Sequence, residues 1–259
     1  MPAFEIAMAS RSEPGQRDAN EDALRTGGSE RFRYAVLSDG AGGHARGAEA
    51  AHQVVEQVAA GLDRGPAAFG PAHLGALLRA AHAGLQQQQL GAQGRSRMHA
   101  TVVVLWIDAV HACAVWSHVG DSRLYRLRHG GVDVVTADDS VVQRLLERGV
   151  LTPEQAQTHP LKNQLLAAMG MQESVEPHTI GAPQALEDGD AFLLCSDGWW
   201  GVLSDAELVA TLADADTPQA WLDAMCALIE ARATPRQDNF SAVAVWVSDP
   251  LESTRSMAE

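Results

Sequence analysis

Four aspartates flank the most apolar stretches of this 259-residue chain: Asp39, Asp121 and Asp197 at their ends, and Asp238 immediately before the last one. Two further acids, Glu21 and Asp22, close the turn-like run Arg17-Asp18-Ala19-Asn20-Glu21-Asp22. If the apolar stretches are antiparallel strands, those ends can meet at one edge. Carboxylates gathered there repel one another unless cations neutralise them, and hard cations such as Mg²⁺ or Mn²⁺ take carboxylate, backbone carbonyl and water oxygens. Glycine follows Asp39 and Asp197, which permits a sharp turn and lets a carbonyl approach an ion. No Cys/His ligand set is present, which argues against zinc. Two ions about 3.5–4 Å apart would share a bridging Asp and a bridging water and turn that water into a nucleophile near neutral pH. The same ions would stabilise charge on transferring phosphoryl oxygens, and Arg17 could take the remaining phosphate oxygens as a bidentate fork. Each piece has a plainer reading: Asp-Gly is a common turn dipeptide, and Asp238-Asn239 could simply turn the chain before a strand.

The elements that would position these groups are partly legible. Apolar, β-branched runs predict strands over 4–8, 32–37, 101–107, 111–119, 122–128, 191–195 and 240–247. The links between 101–107, 111–119 and 122–128 are too short for parallel crossovers, so these strands are expected to pair antiparallel in succession. The first two are apolar on both faces, so the sheet must be covered on both sides. Helices are expected over 45–60, 73–90 and 221–231, with a Gly/Pro loop over 61–71. Three more open at caps: Ser140-x-x-Gln143, the capping box Thr152-Pro153-Glu154-Gln155, and Ser204-x-x-Glu207. Strands and helices come in blocks rather than alternation, which indicates an α+β fold.

Bulk properties narrow the function classes. The chain is 46% hydrophobic and 20% charged, ordinary for a globular protein, with a formal net charge of −14. Such an acidic surface repels nucleic acids and anionic membranes, so phosphate chemistry needs a local positive centre. Cys113, Cys195 and Cys226 lie in apolar segments at no metal-ligand spacing and read as free thiols in a reducing compartment. The N-terminus lacks a secretory pattern, and the most apolar stretch, 100–116, is broken by Asp108 and His111. A cytoplasmic protein is expected.

In order along the chain, Arg17-x-x-Asn20-Glu21-Asp22, Asp39-Gly40-Ala41-Gly42-Gly43-His44, Val119-Gly120-Asp121-Ser122-Arg123-x-Tyr125, Asp138-Asp139-Ser140, His159-Pro160-x-x-Asn163, Ser196-Asp197-Gly198 and Asp238-Asn239 resemble the motifs of bacterial type-2C (PPM family) metal-dependent protein Ser/Thr phosphatases. The resemblance covers nearly the whole chain. It implies a β-sandwich of two antiparallel sheets flanked by pairs of helices, in one phosphatase domain over 1–250 with a polar tail over 251–259. It implies two Mn²⁺ or Mg²⁺ ions, with a third bound more weakly. Carried over, Asp39 bridges both ions, Gly40 lends its carbonyl, Asp197 and Asp238 hold one ion, and Glu21 binds the other with Asp22 in support. Asp121 helps hold the third ion, Arg17 binds substrate phosphate, and residues 140–178 form a variable flap beside the site. Trp199-Trp200 is expected to pack the base of the site. The implied function is signalling by hydrolysis of phosphoserine and phosphothreonine on proteins, by a cytoplasmic monomer opposing a Ser/Thr kinase.

Three positions depart from the family pattern: Asp139 stands where His is usual, Ala100 replaces a Thr, and Ala41 replaces Met or a His proposed as general acid. The leaving-group proton is thereby left to a metal-bound water or a nearby His. His44, His118 and His159 read as structural or supporting residues. The competing reading is a catalytically weak phosphoprotein-binding regulator of the same fold. Such members typically lose metal ligands, whereas Glu21, Asp39, Asp197 and Asp238 are all present.

Overall fold

The computed structural model describes residues 4–41, 46–65, 68–89, 97–134 and 136–250. Twelve strands among these residues form two antiparallel sheets. The first sheet has the order β1 (Glu5–Glu13), β12 (Phe240–Ser248), β11 (Ala191–Cys195), β7 (Arg123–Arg128), β8 (Gly131–Val134). The second runs β10 (Gln184–Ala185), β6 (Cys113–Val119), β5 (Val102–Asp108), β3 (Phe32–Ala41), β2 (Asp22–Gly28). The short strand β4 (His99–Ala100) pairs with β3, and β9 (His178–Thr179) with β6.

Every residue of β5 is buried, and the period of two explains why both faces must be apolar. Val103, Leu105 and Ile107 face the other sheet, meeting Phe192, Leu194, Val243 and Val245. Val102, Val104 and Trp106 face outward, under α1 (Gly47–Asp63) and α2 (Pro71–Gln88). In α1, Ala50, Ala51, Val54, Val55, Val58 and Leu62 recur at helical spacing and make that face. On the opposite side α6 (Asp205–Ala213) and α7 (Pro218–Ala231) cover the first sheet through Leu208, Trp221, Leu222, Met225 and Ile229. The layers are helices, sheet, sheet, helices, the expected α+β sandwich. The three cysteines are free.

The structure corrects several sequence expectations. β6 and β7 do not pair; they lie in different sheets. Gly120, at φ +98°, turns the chain from one sheet to the other, and a Cβ there would lie 2.7 Å from Thr101 Cγ2. Helix α1 runs through Asp63, into the expected loop, and α7 starts at Pro218 behind the cap Thr217, whose hydroxyl accepts from Ala220 N–H. The three capped starts hold: α3 (Val141–Glu147) behind Ser140, α4 (Pro153–Gln157) behind Thr152, and α6 behind Ser204.

Candidate active site

The predicted carboxylates meet at one end of the sandwich, around a cleft of about 480 Å³ lined by Arg17, Glu21, Asp39, Gly40, Asp121, Asp197 and Asp238. Asp39 sits near the end of β3, with Asp22 of β2 directly opposite in register. On its other side Thr101 fixes its backbone: Asp39 N–H donates to Thr101 Oγ1 (2.9 Å), and Thr101 N–H donates to the Asp39 carbonyl (2.8 Å). The same hydroxyl is 2.7 Å from Ser122 Oγ, linking the Asp39 strand to the turn that carries Asp121. Gly40 and Gly47 allow β3 and α1 to touch: a Cβ on Gly40 would lie 2.4 Å from the Gly47 carbonyl carbon, and one on Gly47 would strike the Glu21 carboxylate.

Asp197 opens α5 (Asp197–Trp200), a single turn after β11. Asp238 precedes β12; its Oδ1 accepts from Asn239 N–H (2.9 Å), and its Oδ2 accepts from Arg17 Nη2 (2.8 Å). Arg17 is half exposed at the mouth of the cleft. Asn239 is buried and ties down the loop that presents Arg17 and Glu21. Its Nδ2 donates to the carbonyls of Pro14 and Ala19, and its Oδ1 accepts from Glu21 N–H, each at 2.9 Å.

Asp22 is buried behind Asp39 and does not line the cleft. Its Oδ2 accepts from Ser196 Oγ (2.9 Å), while Oδ1 is buried with no hydrogen-bond partner. Trp199 packs in the core against Phe240, and Trp200 donates from Nε1 to the Asp121 carbonyl (2.9 Å). His118 is buried, with Nε2 2.8 Å from the Ala137 carbonyl. His159 lies outside the cleft lining, its Nδ1 accepting from Leu161 N–H. His44, with Gly42 and Gly43, lies outside the described residues. Sequence reasoning assigned no role in the cleft to Thr101, Asn163, Leu165 or Asn239, all of which line it. Asn163 and Asn239 stood within recognised motifs, and that was the available signal.

The electrostatics are those of crowded acids. Burial first, then Asp22, Asp197, Asp121 and Asp238, hold the Asp39 carboxyl well above its usual range. Burial and Asp197 raise Asp121 likewise. Burial and Asp238 push Asp197 up to about 6, and burial pushes Asp22 up to about 7. Bound cations would remove this penalty, and the donor set, all oxygen, suits Mg²⁺ or Mn²⁺. Among the described residues no three His, Cys, Asp or Glu side chains stand close enough to enclose an ion as they are. A hard ion that retains several waters needs only one or two carboxylates.

The protein phosphatase 2C family model matches residues 11–239. The chain belongs to the protein phosphatase 2C family. It is 35% identical over 208 residues to the serine/threonine protein phosphatase PstP of Mycobacterium tuberculosis, covering 80% of this chain and 39% of that protein. The match thus spans about two fifths of the length of that curated relative. The crystal structure of the M. tuberculosis phosphatase PstP/Ppp superposes with a TM-score of 0.81 at 29% identity, covering 94% of this chain and 99% of that one. A PstP catalytic domain in complex with two manganese ions superposes with a TM-score of 0.79 at 28% identity, covering 95% of this chain and all of that one. The shared fold is that of bacterial type-2C phosphatases, as the ordered motifs imply. No helix among the described residues is long and apolar enough to cross a membrane.

Proposed function

We propose that this protein is a metal-dependent hydrolase of phosphoserine and phosphothreonine on proteins, with residues 1–250 as one phosphatase domain and 251–259 as a tail. The observation that carries the reading is the convergence of Asp39, Asp121, Asp197 and Asp238 on one cleft with the Arg17 guanidinium at its mouth. A manganese-bound relative of the same fold supports it.

Divalent ions held there supply Lewis acidity toward phosphoryl oxygens and lower the pKa of water to the neutral range. Asp39, its backbone fixed by two hydrogen bonds to Thr101, would be the shared ligand of the ions. Gly40 would offer its carbonyl, Asp197 and Asp238 would hold one ion, and Glu21 the other. Asp22 supports Asp39 from behind, and Asp121 with Asp197 would take a weaker third ion. Arg17 exchanges its bond with Asp238 for the phosphate oxygens of the substrate, a charge-assisted fork that orients the ester. Ala41 contributes no proton donor, so the leaving hydroxyl takes its proton from water or a nearby His. The enzyme acts as a cytoplasmic monomer opposing a Ser/Thr kinase.

The test is phosphate release from phosphoserine, phosphothreonine and phosphotyrosine peptides of one sequence, with Mn²⁺ or Mg²⁺. The proposal expects hydrolysis of the first two well above the third. Equal or preferential hydrolysis of phosphotyrosine contradicts the substrate class, and binding without turnover supports the regulator.

A further inference from the structure

Asp139 sits where two walls of the cleft meet. It grips Gly120, the residue before Asp121, twice: its N–H donates to the Gly120 carbonyl and its Oδ2 accepts from Gly120 N–H, both at 2.9 Å. Its carbonyl accepts from Leu166 N–H at 2.7 Å, next to the cleft-lining Leu165. Ser140, its neighbour, forms a bridge with Leu165 itself. Its second carboxylate oxygen, Oδ1, is 2.8 Å from His178 Nε2 in β9. The His178 ring stacks at 5.1 Å on the buried His118 of β6, which fixes it from behind. One side chain therefore joins the Asp121 turn to the strand where residues 140–178 return to the sheet, and its own carbonyl joins the part of that segment that lines the cleft.

The other side of the Asp121 turn is held independently. Trp200 Nε1 donates to the Asp121 carbonyl, and Arg123 lies 3.6 Å over the Trp200 ring while forking onto Asp138 at 2.8–2.9 Å. The turn is thus held on the core side by Trp200, and Asp139 ties it to the 140–178 segment beside the pairing of β6 with β9.

We propose that Asp139, oriented by His178, is a positioning residue that locks the 140–178 segment to the Asp121 turn, so that the wall presented to a protein substrate and the wall bearing Asp121 move as one unit. The substrate half of this inference rests on the phosphatase reading; the mechanical half does not. A part-buried carboxylate shared between two segments suits that task, because its loss leaves partners unpaired on both sides at once.

The test is amide hydrogen exchange on the metal-free full chain, read in peptides covering 118–122 and 176–180, the two stretches that the Asp139 side chain bonds. In Asp139→Ala both segments are expected to exchange about tenfold faster or more, as loss of shared hydrogen bonds lowers the local opening energy. Asp139→Asn keeps an oxygen for Gly120 N–H and presents an amide to His178, so it should stay within about twofold of wild type. Faster exchange in only one segment, or in neither, overturns the proposal; so does an Asn variant as loose as the Ala variant. If Asp139→Ala loses its cooperative thermal transition, the half-exposed His178→Ala replaces it and should speed exchange about threefold in both segments; wild-type rates there overturn the proposal. In kinetics, KM for a phosphothreonine peptide should rise more in Asp139→Ala than KM for p-nitrophenyl phosphate, which is too small to need both walls. Equal rises contradict the coupling. Exchange is read without substrate, so a wild type inactive on every phosphopeptide sinks the phosphatase reading and leaves the coupling to be decided by the exchange rates.

Discussion

Asn239→Ala removes three hydrogen bonds with one substitution. The side chain is buried, and all three partners, the carbonyls of Pro14 and Ala19 and the Glu21 N–H, lie on the loop that carries Arg17 and Glu21. At a net worth of about 1 kcal/mol per hydrogen bond, the loss is about 3 kcal/mol, and more where water cannot reach the abandoned groups. For a chain of this size that lowers the melting temperature by about 6–12 °C. The freed loop also releases Arg17, so KM for a phosphopeptide should rise by about tenfold, the worth of one misplaced charge-assisted bond. Asn239→Asp separates the contributions: it keeps an acceptor for Glu21 N–H but aims a carboxylate at two carbonyls beside Asp238, and should be at least as damaging. Differential scanning calorimetry with chelator, then kinetics with Mn²⁺, reads both effects. An Ala variant that melts within about 1 °C of wild type with unchanged KM would refute the assignment of Asn239 as the loop's anchor.

Other expectations follow from the same geometry. Arg17→Ala breaks an ion pair between partners 51% and 37% exposed, so stability should change by about 0–1 kcal/mol while KM rises and kcat holds; a large stability loss would make Arg17 a structural residue. Gly120→Ala forces a side chain into Thr101 at a positive φ and should cost about 1–3 kcal/mol; a neutral result in urea unfolding would contradict the turn's geometry. For pH, the raised carboxyls set the sign. Asp22, raised from 3.8 to about 7, and Asp197, raised to about 6, leave the native state holding more protons than the unfolded chain between about pH 4 and 7, so stability falls as pH rises through that window. Burial lowers the pKa of His82, His99 and His118, which contribute the opposite slope, so the readout is a difference: in chelator the melting temperature should fall more from pH 5.5 to pH 7.5 in wild type than in Asp22→Asn, and equal changes contradict the crowding.

The acids were legible because each stands beside an apolar run, and such a run marks a buried strand even where the strand continues beyond it, as β3 does through Asp39 to Ala41. Asp39, Asp121, Asp197 and Asp238 could thus be placed near strand ends before any fold was known. β2 was not legible: Asp22–Gly28 reads Asp-Ala-Leu-Arg-Thr-Gly-Gly, polar and glycine-rich, and becomes a strand only because β3 offers it an edge. Thr101 and Asn239 escaped for another reason. They act by hydrogen-bonding backbone across large sequence separations, from Thr101 to Asp39 and from Asn239 to Ala19, and periodicity carries no information about such pairings. The mistaken pairing of β6 with β7 came from loop length alone, which does not distinguish a hairpin from a crossing between sheets. The two-residue strands β9 and β10 are too short for any pattern to announce.

The central claim is that the carboxylate cleft hydrolyses phosphate esters through bound divalent ions gathered on Asp39. The most direct measurement is phosphate release from a phosphothreonine peptide by wild type with Mn²⁺, by wild type with excess chelator, and by Asp39→Asn with Mn²⁺, alongside calorimetric titration of Mn²⁺ into both proteins. The account predicts turnover only in the first condition, with Asp39→Asn folded but binding Mn²⁺ more weakly. Turnover that survives chelation, or an Asp39→Asn protein as active as wild type, would contradict it.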